Sequence, residues 1–163
     1  MTLTVQEIRI RKLLDTYGDS LFRLARTYLH NEADAQEIVQ DTIIQLLRYD
    51  PDFPDSAKEK AWLMKTTANL SRNRLRFNKV HEADELQEQL VAEEKDDLSY
   101  VWDAVRQLPQ KQREVIHLFY QEGYSTKEIA VILGRMEGTV RADLSRARSA
   151  LKTILKEAYD FEE

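Results

Sequence analysis

Arginine side chains near the carboxyl end of the chain carry its clearest chemical signal. Arg141, Ser145 and Arg148 recur at steps of four and three residues, and Arg146 flanks them, which places at least two guanidinium groups on one exposed helical face. A guanidinium group can pair with guanine through two hydrogen bonds or hold a phosphate. These residue types at this spacing predict contact with DNA. A solvated helix with surface arginines is the alternative, and arginines alone do not exclude it.

Two short amphipathic helices joined by a tight turn, over residues 125–151, are predicted to position these arginines. Ser125 and Glu128 have the spacing of a capping box, and Gly134 can take the left-handed conformation that ends a helix. Apolar residues at helical spacing predict the buried stripes: Ile129, Ala130, Ile132 and Leu133, then Val140, Leu144, Ala147 and Leu151. This is the layout of a helix-turn-helix, whose second helix enters the DNA major groove.

The composition of the chain favours an all-α protein. Of its 163 residues only 4 are glycine and 3 are proline, and alternation of β-branched residues is almost absent. Without cysteine the chain forms neither a disulfide nor a thiolate, which fits a reducing cytoplasm. The first apolar run contains charges, so no signal peptide is predicted, and no apolar stretch is long enough for a membrane span.

The net charge of -5 at first argues against binding to nucleic acid. The charges are, however, unevenly distributed along the chain. Residues 60–79 contain six basic residues and no acidic one, whereas residues 80–97 contain eight acidic residues and one lysine. Such asymmetry, which the net charge conceals, is typical of chains that bind charged partners.

Two small helical domains joined by a linker are predicted, with bounds at residues 1–79, 80–97 and 98–163. Helices are predicted over residues 8–29, with an interruption near Gly18, over 31–49 with Asn31 as cap, and over 56–77 with a capping box at Ser56 and Glu59. Four further helices, the last two forming the helix-turn-helix, make up the second domain. The acidic stretch 80–97 is interpreted as the linker, and a surface helix of one continuous domain is the alternative.

Three stretches of the chain carry a family resemblance. Residues 108–152 contain Leu133-Gly134, Gly138-Thr139-Val140 and Arg146-Ala147-Arg148, and they come after two earlier stretches, EADAQEIVQDTIIQLLR (32–48) and AWLMKTTANLSRNRLR (61–76). In this order the stretches make the chain resemble a bacterial sigma factor of the extracytoplasmic-function (ECF) group, an initiation subunit of RNA polymerase. The resemblance covers most of the chain apart from the linker and the tails.

The resemblance implies roles for individual residues. Those implied to grip the clamp helices of the polymerase β′ subunit are Asp34, Glu37, Gln40 and Asp41. Those implied to bind and open the downstream promoter element (−10) are Trp62, Lys65, Asn69, Arg72, Arg74 and Arg76. Those implied to read the upstream element (−35) are Thr139, Arg141, Ser145, Arg146 and Arg148. A basic surface with aromatic and amide groups also suits single-stranded DNA on chemical grounds, although Trp62 by composition alone would be a core residue.

Partners and location are implied in the same way. The implied partners are core RNA polymerase, through its β′ clamp helices and β flap, promoter DNA, and an anti-sigma factor. The protein is expected in the cytoplasm, at the nucleoid when active, or held at the membrane by a tethered anti-sigma factor without inserting itself. No cofactor, metal site or catalytic residue is expected.

Two other classes of function compete with this interpretation. A helix-turn-helix repressor or activator would need a ligand pocket in its first domain, whereas that domain offers a basic helix and a polar helix face. An enzyme would need a catalytic constellation, and the sequence offers only His30 and Asp34 one helical turn apart, with no matching ligands for His81 or His117.

Several positions depart from the family pattern. Arg135 and Met136 stand where a small aliphatic residue and a serine are common, and Asp143 places an acid among the recognition arginines. Ala142 lacks a polar group often found at its position, and Asn73 stands where an acid is common. The promoter sequence therefore cannot be copied from a relative.

Overall fold

Seven α-helices and one π-helical turn form the part of the chain that the structure, a computed structural model, describes: residues 3–81 and 99–159. These ranges contain no strand, as the predicted all-α class requires. The chain divides between residues 85 and 86 into two compact units. The predicted acidic linker, 80–97, falls almost wholly outside the described residues.

The first unit contains three helices, α1 (Val5–Tyr28), α2 (Glu32–Tyr49) and α3 (Ser56–His81), each packed on the other two. Its core includes Leu21, Leu24, Leu46 and Leu63, and all four are fully buried. Inside it the Thr42 hydroxyl lies 3.0 Å from the Thr67 hydroxyl and also donates to the Ile38 carbonyl at 2.8 Å, which satisfies polar groups that burial would otherwise penalise.

Two local predictions for the first unit are wrong. Helix α1 continues through Gly18 without interruption, because Tyr17 and Leu21 on either side of it are buried in the core. Helix α3 is capped by Asp55, whose Oδ1 accepts from the Lys58 amide at 2.8 Å, and no Ser56–Glu59 capping box forms. Glu59 instead accepts a hydrogen bond from the Tyr17 hydroxyl at 2.7 Å. The predicted Asn31 cap of α2 is confirmed, with the Asp34 amide donating to Asn31 Oδ1 at 3.2 Å.

The second unit contains α4 (Ser99–Arg106), α5 (Gln110–Ile116), a π-helical turn (His117–Gln121), α6 (Thr126–Leu133) and α7 (Glu137–Tyr159). Its core includes Ile116, Leu118 and Ile129, with Val140 and Ala147 of α7 packed into it. The sequence predicts an unbroken helix over residues 111–121, whereas the structure changes from α to π geometry at His117. Gly123, with φ of 77°, then turns the chain toward α6.

Candidate nucleic-acid interface

The turn between α6 and α7 is built as the sequence predicts. The Glu128 amide donates to Ser125 Oγ at 3.1 Å and the Ser125 amide donates to Glu128 Oε1 at 2.9 Å, which confirms the capping box. Gly134 closes α6 with φ of 66°. The Thr126 hydroxyl donates to Glu137 Oε2 at 3.0 Å and so joins the starts of the two helices. The turn is therefore fixed at both ends.

Helix α7 presents polar residues along the side opposite its buried stripe. Val140, Leu144 and Ala147 are buried, as predicted from their spacing. The five residues assigned to the upstream promoter element are all exposed: Thr139, Arg141, Ser145, Arg146 and Arg148.

Each arginine of that surface has a partner within the protein. Arg141 lies 3.4 Å from Glu137, and Arg146, with 67% of its side chain exposed, lies 3.5 Å from Asp143. Arg148 donates from Nε to the Tyr120 hydroxyl at 2.8 Å, with its guanidinium 5.5 Å from the ring centre of Phe119. These contacts orient the guanidinium groups in the free protein. The side chains would therefore lose less conformational entropy on binding a ligand.

Tyr120 is a residue of this surface that was not predicted from the sequence. It belongs to the π-helical turn and is exposed, and Phe119 stacks edge-on against it at 4.9 Å between ring centres. Its hydroxyl accepts from Arg148 and keeps its own proton to donate to a phosphate. Sequence periodicity could not reveal it, because the contact joins elements 28 residues apart.

Helix α3 carries the second cationic surface. Trp62, Lys65, Asn69, Arg72 and Arg76 succeed one another at steps of three and four residues, so they line one face over about 21 Å. Lys65, Asn69 and Arg76 are exposed, and Arg72 is half-buried. Arg72 donates to the side-chain oxygen of Asn69, and Arg76 donates to that of Asn73. Guanidinium groups thus alternate with amides along this face.

Trp62 lies at the start of the α3 face and is neither fully buried nor free. Its ring packs edge-on against Phe53 of the loop between α2 and α3, with ring centres 6.2 Å apart and planes at 63°. The half-buried ring is held by the loop and leaves part of its surface accessible.

Arg74 points away from the α3 face toward α2. Its Nη1 lies 3.0 Å from Asp34 Oδ1 and its Nη2 lies 2.8 Å from Glu37 Oε1. Asn78 adds a hydrogen bond to Asp34 Oδ2 at 3.0 Å. The hydrogen bond with Glu37 raises the pKa of Arg74, against a smaller opposing effect of burial. The structure thus joins one residue assigned to DNA with two assigned to polymerase.

Gln40 and Asp41 lie further along α2 and are not part of that ion pair. Gln40 is exposed and Asp41 is half-buried, and Ile44, with its side chain about half in solvent, continues the same surface one turn on. This part of α2 thus combines polar side chains with one exposed apolar side chain.

Neither a metal centre nor a membrane segment is found in the described ranges. Residues 3–81 and 99–159 hold no cluster of three or more His, Cys, Asp or Glu side chains suited to a metal ion. Within the same two stretches, no helix has the length and apolar character needed to cross a membrane.

Comparison with known families matches both units of the chain. The family model described as Sigma-70 region 2 matches residues 13–80, and that described as Sigma-70, region 4 matches residues 98–151. The chain is 33% identical over 158 residues to the ECF RNA polymerase sigma factor SigL of Mycobacterium tuberculosis, covering 91% of this chain and 89% of that one. It is 30% identical over 148 residues to SigM of the same species, covering 88% and 76%.

Solved structures resemble the chain as well. The sigma factor RpoE of Bartonella quintana, solved in complex with the anti-sigma factor NepR, matches with a TM-score of 0.69 at 25% identity, over 91% of this chain and 97% of that one. CnrH, solved in complex with the cytosolic domain of CnrY, matches with a TM-score of 0.68 at 27% identity, over 90% and 87%.

Proposed function

We propose that this chain, which belongs to the extracytoplasmic-function group of RNA polymerase sigma factors, uses one of its two units to locate the promoter and the other to open it. The family resemblance drawn from the sequence is confirmed. The chain is an initiation subunit that joins core polymerase, recognises two promoter elements and promotes DNA opening. The sigma-70 family is not a family of enzymes, and we propose that this member has no catalytic residue or cofactor of its own.

The exposed face of α7 is proposed to read the upstream promoter element. The observation that carries this proposal is the set of exposed, pre-oriented arginines beside a buried stripe, at the position of a recognition helix. Arg146 and Ser145 lie nearest the centre of the exposed side and are proposed to contact bases, with Thr139 and Arg141 near the amino end of the helix. Arg148, held on the flank by Tyr120, is proposed to contact the backbone.

The α3 face is proposed to bind the downstream element as it opens. Opening requires a surface that prefers single-stranded to duplex DNA, and stacking groups beside cations provide it. Asn69 is proposed to engage an unstacked base, Trp62 to support it, and Lys65, Arg72 and Arg76 to hold phosphates. Arg74 belongs to the same sequence cluster, but its ion pairs with α2 support a role in holding α3 in place.

The surface of α2 is proposed to contact the β′ clamp helices of core polymerase. Gln40 and Asp41 are the proposed primary contacts, because Asp34 and Glu37 already pair with Arg74. Asp34 and Glu37 are proposed to contribute at the edge of the interface, and the second unit is proposed to contact the β flap.

An anti-sigma factor is proposed as a further partner. Of two similar solved structures, one is a sigma factor in complex with an anti-sigma factor, and the other is CnrH in complex with the cytosolic domain of CnrY. We propose that this chain acts in the cytoplasm, at the nucleoid when active, and that a tethered anti-sigma factor would hold it at the membrane.

Run-off transcription tests the proposed function directly. Purified chain is added to core polymerase and a set of genomic promoter fragments, with core polymerase alone as the control. Specific transcripts that depend on the chain are expected. If the chain neither binds core polymerase nor yields a specific transcript, the proposal is wrong.

A further inference from the structure

A buried cluster of charges lies beneath the recognition helix. Glu114 of α5 is fully buried, Arg135 of the turn has 15% of its side chain exposed, and Asp143 of α7 has 10%. Arg135 pairs with Glu114 through Nη2, and its Nη1 lies 3.6 Å from Asp143 Oδ2 and donates to the Lys111 carbonyl at 3.5 Å. One guanidinium therefore joins α5, the turn and α7.

Two departures from the family pattern are thus partners of each other. Without Arg135, the buried carboxylates of Glu114 and Asp143 would have no buried cation to compensate them. Arg135 and Asp143 form an ion pair, and Arg135 also pairs with Glu114.

Asp143 also faces outward. Its Oδ2 lies toward buried Arg135, while its Oδ1 lies 3.5 Å from exposed Arg146. The carboxylate therefore links the buried cluster to an arginine of the exposed face, and it partly neutralises that arginine. A free arginine at this position would bind any phosphate within reach, whatever the sequence.

We propose that Asp143 is a specificity-determining residue, which positions Arg146 for base contacts and restrains its contacts to phosphate. The Glu114–Arg135 pair fixes Asp143, and Asp143 in turn orients Arg146. The ligand is the duplex DNA of the upstream promoter element. This inference rests on the proposed function of α7 as the reader of that element.

Asp143→Asn tests the proposal in the holoenzyme formed with core polymerase. The probes are one promoter fragment that the wild-type chain transcribes and the same fragment with its upstream element randomised. The variant is expected to lower the ratio of the two affinities by about tenfold, chiefly by tighter binding to the randomised fragment. The slope of log affinity against log salt should steepen by about 0.9, the effect of one added phosphate contact.

Asp103→Asn is the matched control. Asp103 pairs with Arg106 three residues on, as Asp143 does with Arg146, but it lies on α4. The control removes the same charge from the same unit and should leave the specificity ratio unchanged. In an Arg146→Ala background the effect of Asp143→Asn should vanish, which a merely structural role of Asp143 would not produce.

Folding does not obscure the result. Without Asp143 the buried cluster keeps one cation and one anion, so thermal unfolding of the variant should stay cooperative. Asp143→Ser is tested in the same assays as a second variant without the charge. An effect seen in both variants comes from loss of the carboxylate and not from the asparagine side chain. An unchanged ratio in the folded variants, or an equal loss in the Arg146→Ala background, overturns the inference. Failure of the wild-type chain to transcribe would instead overturn the proposed function.

Discussion

At the scale of single residues, the recognition surface combines exposure with order. Arg146 and Arg148 extend into solvent, yet a carboxylate holds the first and a phenol holds the second. Exposed arginines normally lose rotamer freedom on binding, and this loss is reduced where a neighbour has already selected the conformation. This difference in partner supports the different tasks proposed for them, base reading for Arg146 and backbone contact for Arg148.

Arg146→Ala should weaken binding to the upstream element by about 1–3 kcal/mol if the guanidinium forms two hydrogen bonds to guanine. The affinity of the holoenzyme is measured on fragments carrying each base at the contacted position. Relaxed preference at one position is expected. Promoter selectivity equal to that of the wild-type chain would show that Arg146 does not read bases.

Tyr124 gives the second unit a pH dependence in the alkaline range. Burial, with smaller effects of Glu122 and Glu128, raises its pKa from 10.0 to about 12. The folded unit thus favours the neutral phenol, and this stabilisation is complete below pH 10 and is lost as the pH rises through about 12. Denaturant unfolding from pH 9 to 12 should show a smaller decline for Tyr124→Phe than for the wild-type chain, and parallel curves would contradict the assignment.

At the scale of elements, α2 and α3 are joined by a link that is separate from the hydrophobic core. Arg74, with 21% of its side chain exposed, contacts two carboxylates of α2, and Asn78 supports one of them. The same helix α3 carries the proposed DNA face on another side. The ion pairs therefore keep that face in a fixed orientation relative to α2, the helix proposed to bind polymerase.

Arg74→Ala should lower the free energy of unfolding of the first unit by about 1–3 kcal/mol, because charged hydrogen bonds are lost from a partly buried site. Arg9→Ala, which removes the more exposed pair with Asp50 at 2.9 Å, is the matched control and should cost about 0–1 kcal/mol. In a Trp102→Phe background the fluorescence of Trp62 reports on the first unit. Equal losses in the two variants would show that the Arg74 link contributes no more than a surface pair.

The sequence predicts the turn between α6 and α7 well, because local chemistry decides it. The capping box at Ser125 and the turn at Gly134 depend on residues within a few positions, and both form as expected. The Arg135–Asp143 pair spans the turn and serves Glu114, which lies 21 positions before Arg135, so it depends on packing that no local pattern encodes. Helical spacing alone places Arg74 on a different face of α3 from Arg72 and Arg76. All three were assigned to DNA because the basic stretch was treated as one unit.

At the scale of the whole molecule, the chain presents two cationic surfaces despite its net charge of -5. One lies on α3 in the first unit and the other on α7 in the second. Because each surface belongs to a unit with its own core, a substitution on one should change its own step of initiation without changing the other.

Asn69→Ala should therefore slow promoter opening and spare both core binding and location of the promoter. Permanganate reactivity of thymines in the downstream element measures opening, and the affinity for core polymerase is measured alongside. Arg146→Ala serves as the converse control, since it should reduce occupancy of the promoter rather than opening once bound. Normal permanganate reactivity in the Asn69→Ala holoenzyme would contradict the role assigned to the amide.

The π-helical turn at His117–Gln121 makes the recognition surface sensitive to chain length. The Glu122 amide reaches back to the His117 carbonyl at 3.1 Å, five residues earlier, so the turn holds more residues than an α-helical one. Deleting one residue would rotate the next part of the chain by about 100° and carry Tyr120 away from Arg148. A substitution in this segment alters the contacts of one side chain. An insertion or deletion rotates every residue that follows it relative to α5. The spacing between α5 and α6 is consequently as important for the proposed DNA contact as the side chains themselves.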